Sequence, residues 1–517
     1  MQRFVVRLVV AGVVLSALAV AEGAAPAGAA VPCAVTSQRT STPANRAAWD
    51  PVLSADGSVV FFVSDANIGG QNADGSAELW RRVGNVTTRL TTNDGDYEFG
   101  RPDVSADGRR AVFISDADLT GTNGDHVETL WLWDLDAELT LTALQSPEAP
   151  GVRYPRIAAA GMPVTFDSRV DWDGDSPDGN MEVFLRTVEG AQQISPNTED
   201  EDGSRKPAIS GDGEVIVYES DRDPTGDNPD TNVELFRYVV DTGQTTQITD
   251  TEADESQADW RGSYLPEVDG DGSTIVFETE VAHGSLNTDL DYVVMKWDDG
   301  ALSEVAQAWD SSVSADGTRV AFLSDVDLVG RNADENVELF VRHGGTTRQV
   351  TRTTGVDVEG PRISRNGNHI VFASTGNFLG TNADGSFEIF VATCAPVLKC
   401  DGKTVTVILG QNNPGAGNDV IYGTRGNDGT ARTPVNGGTG NDVFCGLAGN
   451  DRFVGGGGND RFLGDAGNDT ADGGAGKDTL KGQAGNDTLV GGPGADVCDG
   501  GPGTDSATAC EQRPNVP

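Results

Sequence analysis

The chain of 517 residues is poor in the groups on which most enzymes and nucleic-acid binders depend: it has four histidines, and aromatic residues make up only 6%. His126, His283, His343 and His369 stand apart from one another, and no HExxH, GxSxG or glycine-rich phosphate loop occurs. Metalloprotease, serine-hydrolase and nucleotide-binding signatures are therefore missing. Basic residues are scarce too, 36 against 80 acidic, for a formal net charge of −44, which argues against nucleic acid and anionic membrane as partners. Beyond residue 30 no apolar run approaches the ~20 residues needed to span a bilayer. None of the six cysteines sits in a CxxC pair, so disulfides are expected rather than a zinc or redox site.

The first thirty residues read as an address. Arg3 and Arg7 precede an apolar run from Leu8 to Ala21, and Ala27-Gly28-Ala29 or Gly28-Ala29-Ala30 supplies small residues for cleavage. Residues 1–30 are thus expected to be a secretory signal peptide. Pro32 immediately before Cys33 departs from a lipoprotein cleavage box, and Cys510 to Pro517 has no apolar tail. The expected product is extracellular and free of membrane after cleavage.

Glycine, by contrast, is abundant, with 67 residues, and much of it falls into one register. From Gly440 to Asp505 a Gly-x-Asp triplet recurs every nine residues, eight times, placing Asp442, Asp451, Asp460, Asp469, Asp478, Asp487, Asp496 and Asp505 in phase. Looser copies precede them at Asp419 and Asp428. An apolar or small residue stands two places after nearly every Asp, as in Ile421, Phe444, Phe453, Phe462, Ala471, Leu480, Leu489, Cys498 and Ala507. A disordered Gly/Asn/Asp linker would not hold such a register. Glycine turns, each followed by one inward side chain, describe half a coil of a β-solenoid. Two nonapeptides complete a coil, so Asp residues eighteen apart stack: 442, 460, 478 and 496 on one edge, 451, 469, 487 and 505 on the other. Stacked carboxylates repel, and the surrounding glycines offer carbonyl oxygens, so a hard cation is wanted between them; Ca2+ fits and zinc does not. The segment resembles the RTX nonapeptide family, G-G-x-G-x-D-x-U-x, which implies a calcium-loaded parallel β-roll over residues 398–517 and all ten of these aspartates as metal sites.

A longer repeat fills residues 31–397. Its anchor is a Ser-x-Asp-Gly turn before an apolar strand, as in Ser54-Ala55-Asp56-Gly57 before Val59-Val60-Phe61-Phe62 and Ser314-Ala315-Asp316-Gly317 before Val320-Ala321-Phe322-Leu323. A second strand follows, such as Glu78-Leu79-Trp80 or Glu338-Leu339-Phe340, and then a closing strand such as Gln349-Val350-Thr351. Seven such units, one degenerate at Ala158 to Gly161, predict propeller blades, and their order resembles the WD40-like repeats of TolB-type propellers. The seventh unit stops at Ala392-Thr393-Cys394 without its last strand, while Val35 to Thr40 matches the closing pattern at the other end of the chain. Closure by that segment would remove open sheet edges and bring Cys33 to Cys394. Cys400 with Cys445 and Cys498 with Cys510 are the remaining expected pairs.

Loops of the form N-x-D-x-x-x-E, at Asn72, Asn228, Asn332 and Asn382, admit two readings. Alternating oxygens could ring a calcium ion; an Asx or hairpin turn with the glutamate on a solvated strand edge accounts for the same residues and is preferred. Acidic pairs such as Asp171 and Asp173 arise freely in so acidic a chain and assign no catalysis. The fold expected is all-β, a seven-bladed propeller followed by a calcium-binding roll. The function expected is a secreted, non-enzymatic calcium-binding protein whose propeller engages an extracellular protein or glycan. An extracellular hydrolase or lyase using the propeller mouth is the alternative, and a periplasmic TolB-like scaffold a third.

Overall fold

A computed structural model describes residues 33–516 apart from 44, 94, 96, 137–140, 145–150, 171, 173–178, 196–202, 252–261, 289, 395–398, 402, 405–406, 409–413, 415–416, 424–426 and 431–432. The expected signal peptide lies outside the described residues, as do Asp171 and Asp173. The chain divides into two compact units, one of residues 31–397 and one containing the residues from 398 onward.

The first unit is a propeller of seven antiparallel four-stranded sheets. Blade one runs Ala48–Leu53, Val59–Ser64, Glu78–Val83 and Val86–Arg89, and the next five repeat that order along the chain. In blade seven the three strands Val358–Ile363, His369–Ser374 and Glu388–Cys394 are completed by Cys33–Gln38, which pairs antiparallel with Glu388–Cys394 and sets Cys33 opposite Cys394. A disulfide joins the two. The closing strand is thus supplied by the N-terminal segment, as its sequence indicated.

Each blade packs through its second and third strands, whose residues are buried on both faces. Phe322 stacks on Phe340 at 5.9 Å and Phe372 on Phe390 at 5.8 Å, and apolar clusters span neighbouring blades, as where Ala321, Leu323 and Val341 of blade six meet Ile363, Phe372 and Phe390 of blade seven. The Ser-x-Asp-Gly turn works as read. Ser54 Oγ donates to Asp56 Oδ1 at 2.7 Å and accepts the Val59 N–H at 3.0 Å, while Gly57 takes φ +74°, a left-handed conformation that glycine adopts without strain.

Two expectations need correction. The sequence reading found three strands per unit, whereas each blade has a fourth, innermost one such as Ala48–Leu53 or Ser204–Ile209. These strands are bulged and all but that of the sixth blade carry a proline, so neither alternation nor an apolar run marks them. The loop glutamates are also not on a solvated edge. Glu78, Glu234, Glu338 and Glu388 are fully buried. Thr91 Oγ1 donates to Glu78 Oε2 at 2.6 Å and the Asn93 N–H to Oε1 at 2.9 Å; Thr249 and Thr251 hold Glu234, and Thr351 and Thr353 hold Glu338. In blade seven Thr40 and Thr42 of the N-terminal segment hold Glu388 in the same way, so closure reproduces the clasp as well as the strand. The turn half of the reading stands: buried Asn72 donates from Nδ2 to the Ser76 carbonyl at 2.8 Å.

The second unit is a β-roll of two parallel sheets. One contains Val443–Cys445, Arg461–Leu463, Thr479–Lys481 and Val497–Asp499; the other contains Arg452–Gly457, Thr470–Ala475, Thr488–Val490 and Ser506–Thr508. Pairing is in register at eighteen residues: Phe444, Phe462, Leu480 and Cys498 align in one sheet, and Phe453, Ala471, Leu489 and Ala507 in the other. These inward residues form the core, where Phe444 stacks on Phe453 at 5.3 Å and on Phe462 at 5.8 Å. Disulfides Cys400–Cys445 and Cys498–Cys510 lie at its two ends.

Candidate calcium ladder and propeller mouth

Each repeat aspartate of the roll sits where a coil turns, and from Asp442 onward its carboxylate reaches back to the preceding coil. Asp460 Oδ1 accepts the Asp442 N–H at 2.8 Å, and the Asp460 N–H donates to Asp478 Oδ1 at 2.8 Å. Asp478 continues to Asp496, and the second column runs Asp451, Asp469, Asp487, Asp505. The columns extend back across a 23-residue spacing to Asp419 and Asp428, whose N–H groups donate to Asp442 and Asp451. The structure therefore gathers all ten sequence-predicted aspartates into two ladders. One detail differs from expectation: the carboxylates do not merely face one another, because one oxygen of each, from Asp442 to Asp505, is bound to backbone.

The other oxygen makes no such bond. Oδ2 of Asp442, Asp451, Asp460, Asp469, Asp478, Asp487, Asp496 and Asp505 is buried with no hydrogen-bond partner. It lies over a bare glycine Cα. A Cβ on Gly455 would stand 2.3 Å from Asp460 Oδ2 and 2.5 Å from the Gly473 carbonyl oxygen; one on Gly464 would stand 2.2 Å from Asp469 Oδ2 and 2.6 Å from the Gly482 carbonyl. A carboxylate oxygen and a carbonyl oxygen of the following coil thus converge in a space that only glycine leaves open. Burial, followed by the charge of neighbouring aspartates, raises Asp442, Asp451 and Asp478 to about 6 and Asp469 to about 7. Buried, anionic, oxygen-only donors without a proton source fit a hard cation such as Ca2+. Among the described residues no three Asp, Glu, His or Cys side chains converge on one point, so carbonyl oxygens are needed to fill a shell.

Sequence reasoning missed two supports. The asparagines that precede most of the aspartates form an opposed ladder: Asn441 Oδ1 accepts the Asn459 N–H at 2.6 Å, and Asn459 Oδ1 that of Lys477 at 2.8 Å. The Asn of Gly-Asn-Asp was the available signal. Glu511 was less visible, standing fifteen rather than eighteen residues after Asp496, yet its Oε2 accepts the Asp496 N–H at 2.6 Å and ends that column.

The propeller has its own concave site, a cavity of about 570 Å³ lined by the inner strands. Every inner strand bulges, and the residue at the bulge takes a left-handed φ: Asp50, Arg101, Tyr154, Lys206, Leu265 and Asp310 lie between +47° and +53°, and Gly360 at +57°. Six non-glycine residues in that region each cost about 1 kcal/mol. Carboxylates hold four of the seven bulge residues: Asp50 accepts the Arg101 N–H at 3.1 Å, Asp167 that of Lys206 at 2.7 Å, Glu278 that of Asp310 at 2.6 Å, and Asp310 that of Gly360 at 3.0 Å. Blades two to four bring Arg101, Tyr154 and Lys206 to the rim, with the Arg101 guanidinium 3.7 Å from the Tyr154 ring centroid. Blades six, seven and one bring Asp310, Glu359 and Asp50. The mouth is therefore basic on one side and acidic on the other. The signal for this ring was in the sequence, since a proline follows the bulge residue in all blades but the sixth, three residues ahead of the turn, as Pro51 before Ser54 and Pro102 before Ser105.

Glycine-lined coils with orphaned carboxylate oxygens define the second unit as a calcium-binding β-solenoid. Residues 415–429, 436–471 and 472–507 match the RTX calcium-binding nonapeptide repeat in four copies, and this part of the chain carries RTX repeats. No curated protein matches the chain. Similar solved structures include a TolB protein from Agrobacterium tumefaciens, at 17% identity and TM-score 0.36 over 61% of this chain and 94% of that one. The β-propeller domain of the Trilobed protease from Pyrococcus furiosus is 14% identical, with TM-score 0.44 over 69% of this chain and 97% of that one. An oligogalacturonate lyase from Vibrio parahaemolyticus is 14% identical, with TM-score 0.33 over 67% and 97%.

Proposed function

We propose that the protein is exported, that calcium bound along the aspartate ladders drives the roll to fold outside the cell, and that the propeller is a non-enzymatic scaffold whose mouth engages an extracellular protein or glycan. The observation that carries the calcium half is the column of buried, unpartnered Oδ2 atoms. Their cost in the metal-free state is removed when a cation binds, so binding free energy becomes folding free energy. Three disulfides, one closing the propeller and two in the roll, support an oxidising destination. Among the described residues no helix is long and apolar enough to cross a membrane.

For the propeller, the support is the strained ring around a bipolar cavity. Strain held at six of seven equivalent positions is a feature that clusters at functional sites. Two of the carboxylates that line the cavity are already engaged, Glu267 with Arg156 at 2.7 Å and Asp310 with Arg362 at 3.4 Å, which suits recognition better than proton transfer. A hydrolase or lyase is the second reading and rests on Glu278, which lines the cavity and is raised by burial to about 7.

The test has two arms. Residues 1–30 fused to a reporter should direct its export, and retention in the cytoplasm would refute the secreted reading. The whole chain in calcium, applied to glycan and extracellular-protein arrays, should give ligands whose binding falls at least about tenfold in Arg101→Glu, the scale of one lost charge-assisted contact. Turnover of a bound glycan or peptide, abolished by Glu278→Gln, would replace the scaffold with the enzyme.

A further inference from the structure

The blade loops hold a second set of oxygen donors that the turn reading leaves unexplained. Starting at Asn72, Asn228, Asn332 and Asn382, oxygen-bearing side chains alternate as Asn-x-Asp-x-Ser/Asn-x-Glu. In blade one, Ser76 Oγ has Asp74 Oδ1 at 3.0 Å and Asn72 Oδ1, Glu78 Oε1 and the Asn93 carbonyl each at 3.3 Å. Blade seven repeats the arrangement around Ser386, with Glu388 Oε1 at 2.9 Å, Asp384 Oδ1 at 3.0 Å, and Asn382 Oδ1 and the Thr42 carbonyl at 3.2 Å. A hydroxyl has one proton and satisfies one of these four acceptors.

Blades four and six supply an independent observation. There the serine is replaced by Asn232 or Asn336, and the leading asparagine, Asn228 or Asn332, is 1% exposed with a buried side-chain oxygen that has no hydrogen-bond partner. Blade two is the internal contrast. Val127 and Thr129 stand at the third and fourth places, and Asn123 Oδ1 is satisfied by the Val127 N–H at 3.3 Å. Blade five has a partial set, with Asn287 Oδ1 unpartnered but Val293 in place of the glutamate.

We propose that the loops beginning at Asn72, Asn228, Asn332 and Asn382 are calcium sites of the propeller, separate from the RTX ladders and independent of them. Two carboxylates match a divalent charge; amide, hydroxyl and carbonyl oxygens complete a hard, all-oxygen set without nitrogen or sulfur. Oxygens 2.9 to 3.3 Å from the central hydroxyl have the spacing of a calcium shell, in which adjacent ligands about 2.4 Å from the ion lie roughly 3 Å apart. The bound ion would tie the third strand of a blade to the segment after its outer strand, through the Asn93 carbonyl in blade one. In blade seven the corresponding oxygen belongs to Thr42, so there the ion would lock the N-terminal strand that closes the ring.

Tryptophan separates these sites from the roll. All eight tryptophans lie between Trp49 and Trp309, and none falls in residues 398–517. Trp80 is two residues from Glu78 on the same strand, about 7 Å along it. In the whole chain, terbium emission excited through tryptophan should be saturable, displaced by calcium and not by equal magnesium. Asp74 is exposed, so Asp74→Ala should leave the far-UV circular dichroism unchanged while weakening tryptophan-sensitised terbium binding at least about tenfold. Asp478→Asn in the roll should leave that signal intact. Hydrogen exchange on the unmodified protein is the second readout: calcium should slow exchange across 72–78 and 382–388. An absent or Asp74-independent signal, or calcium protection confined to the roll, would overturn the proposal.

Discussion

The two units treat the buried carboxylate in opposite ways. In the propeller, Glu78 has both oxygens met, by Thr91 and by the Asn93 N–H, and the clasp belongs to the finished protein fold. In the roll, Asp460 has one oxygen met by the Asp442 N–H and the other met by nothing in the chain. Burial raises the proton affinity of both, since both lose water. The difference is what satisfies the acid before any ion arrives: in the first case protein hydroxyls and amides meet both oxygens, so an ion there would add to a carboxylate already held, whereas in the second one oxygen is left to a solute. Counted oxygen by oxygen, the hydrogen bonds of a buried acid thus tell whether its satisfaction depends on a metal.

Metal removal should break the comparison most completely. In chelator the roll loses its cross-coil cations and is left with a core one residue wide, too thin to offset chain entropy, while the propeller keeps its interdigitated blades. Limited proteolysis of the whole chain in chelator should destroy residues beyond 398 and leave a resistant fragment ending near 394, and calcium should restore protection; equal cleavage of both units would contradict the division. Cutting the closure is next. Cys33→Ser with Cys394→Ser should lower propeller stability by roughly 4 to 5 kcal/mol, the chain-entropy value for a long loop, read by denaturant unfolding in saturating calcium.

Within the ladder, position should matter. Asp478 faces Asp460 on one side and Asp496 on the other, whereas Asp505 ends its column. Asp478→Ala should raise the calcium concentration for half-folding several-fold more than Asp505→Ala, because coupling along a solenoid is between nearest neighbours. Equal effects would refute stacked sites. A clasp variant sharpens the contrast from the other side: Glu338→Gln should cost the propeller about 1 to 3 kcal/mol, the range for a charged hydrogen-bond partner, and leave calcium-driven roll folding unchanged.

The smallest effect is that of pH on metal-free protein. Asp442, Asp451 and Asp478 sit at about 6 and Asp469 at about 7, above the unfolded value near 4. A carboxyl raised in the folded state binds its proton more tightly there, so it contributes stability below the unfolded pKa and loses it as pH rises through 6 to 7. The roll in chelator should accordingly hold more β structure at about pH 4 to 5 than at neutral pH, and the calcium midpoint should rise as pH falls, because protons and calcium compete for the same oxygens. A calcium midpoint flat across that window would contradict buried aspartates as ligands.

Periodicity makes most of the architecture legible in the chain itself. The eighteen-residue alignment of Phe444, Phe462 and Leu480 follows from nine-residue glycine turns, and the seven blades follow from repeated turns such as Ser54 to Gly57. Closure was legible for the same reason, since a unit lacking its last strand at Cys394 and a spare strand at Cys33 complement each other. The aspartate columns could be read because their ligand geometry is local and repeats.

What the chain order alone did not reveal depends on contacts between distant residues. The inner strands carry no hydrophobic period, because each is bent by a bulge and its side chains face a shared cavity rather than a sheet; only the ring of seven brings Arg101 and Lys206 to one rim and Asp50 and Asp310 to the other. Glu78 looked solvated because its partners, Thr91 and Asn93, come from a later segment. Likewise, whether Asn332 closes a turn or waits for an ion is decided by which donors reach its oxygen, and in blade six none does. Repeating local geometry is written into sequence by its period, whereas satisfaction of a buried polar atom is a property of the neighbours that tertiary packing brings to it.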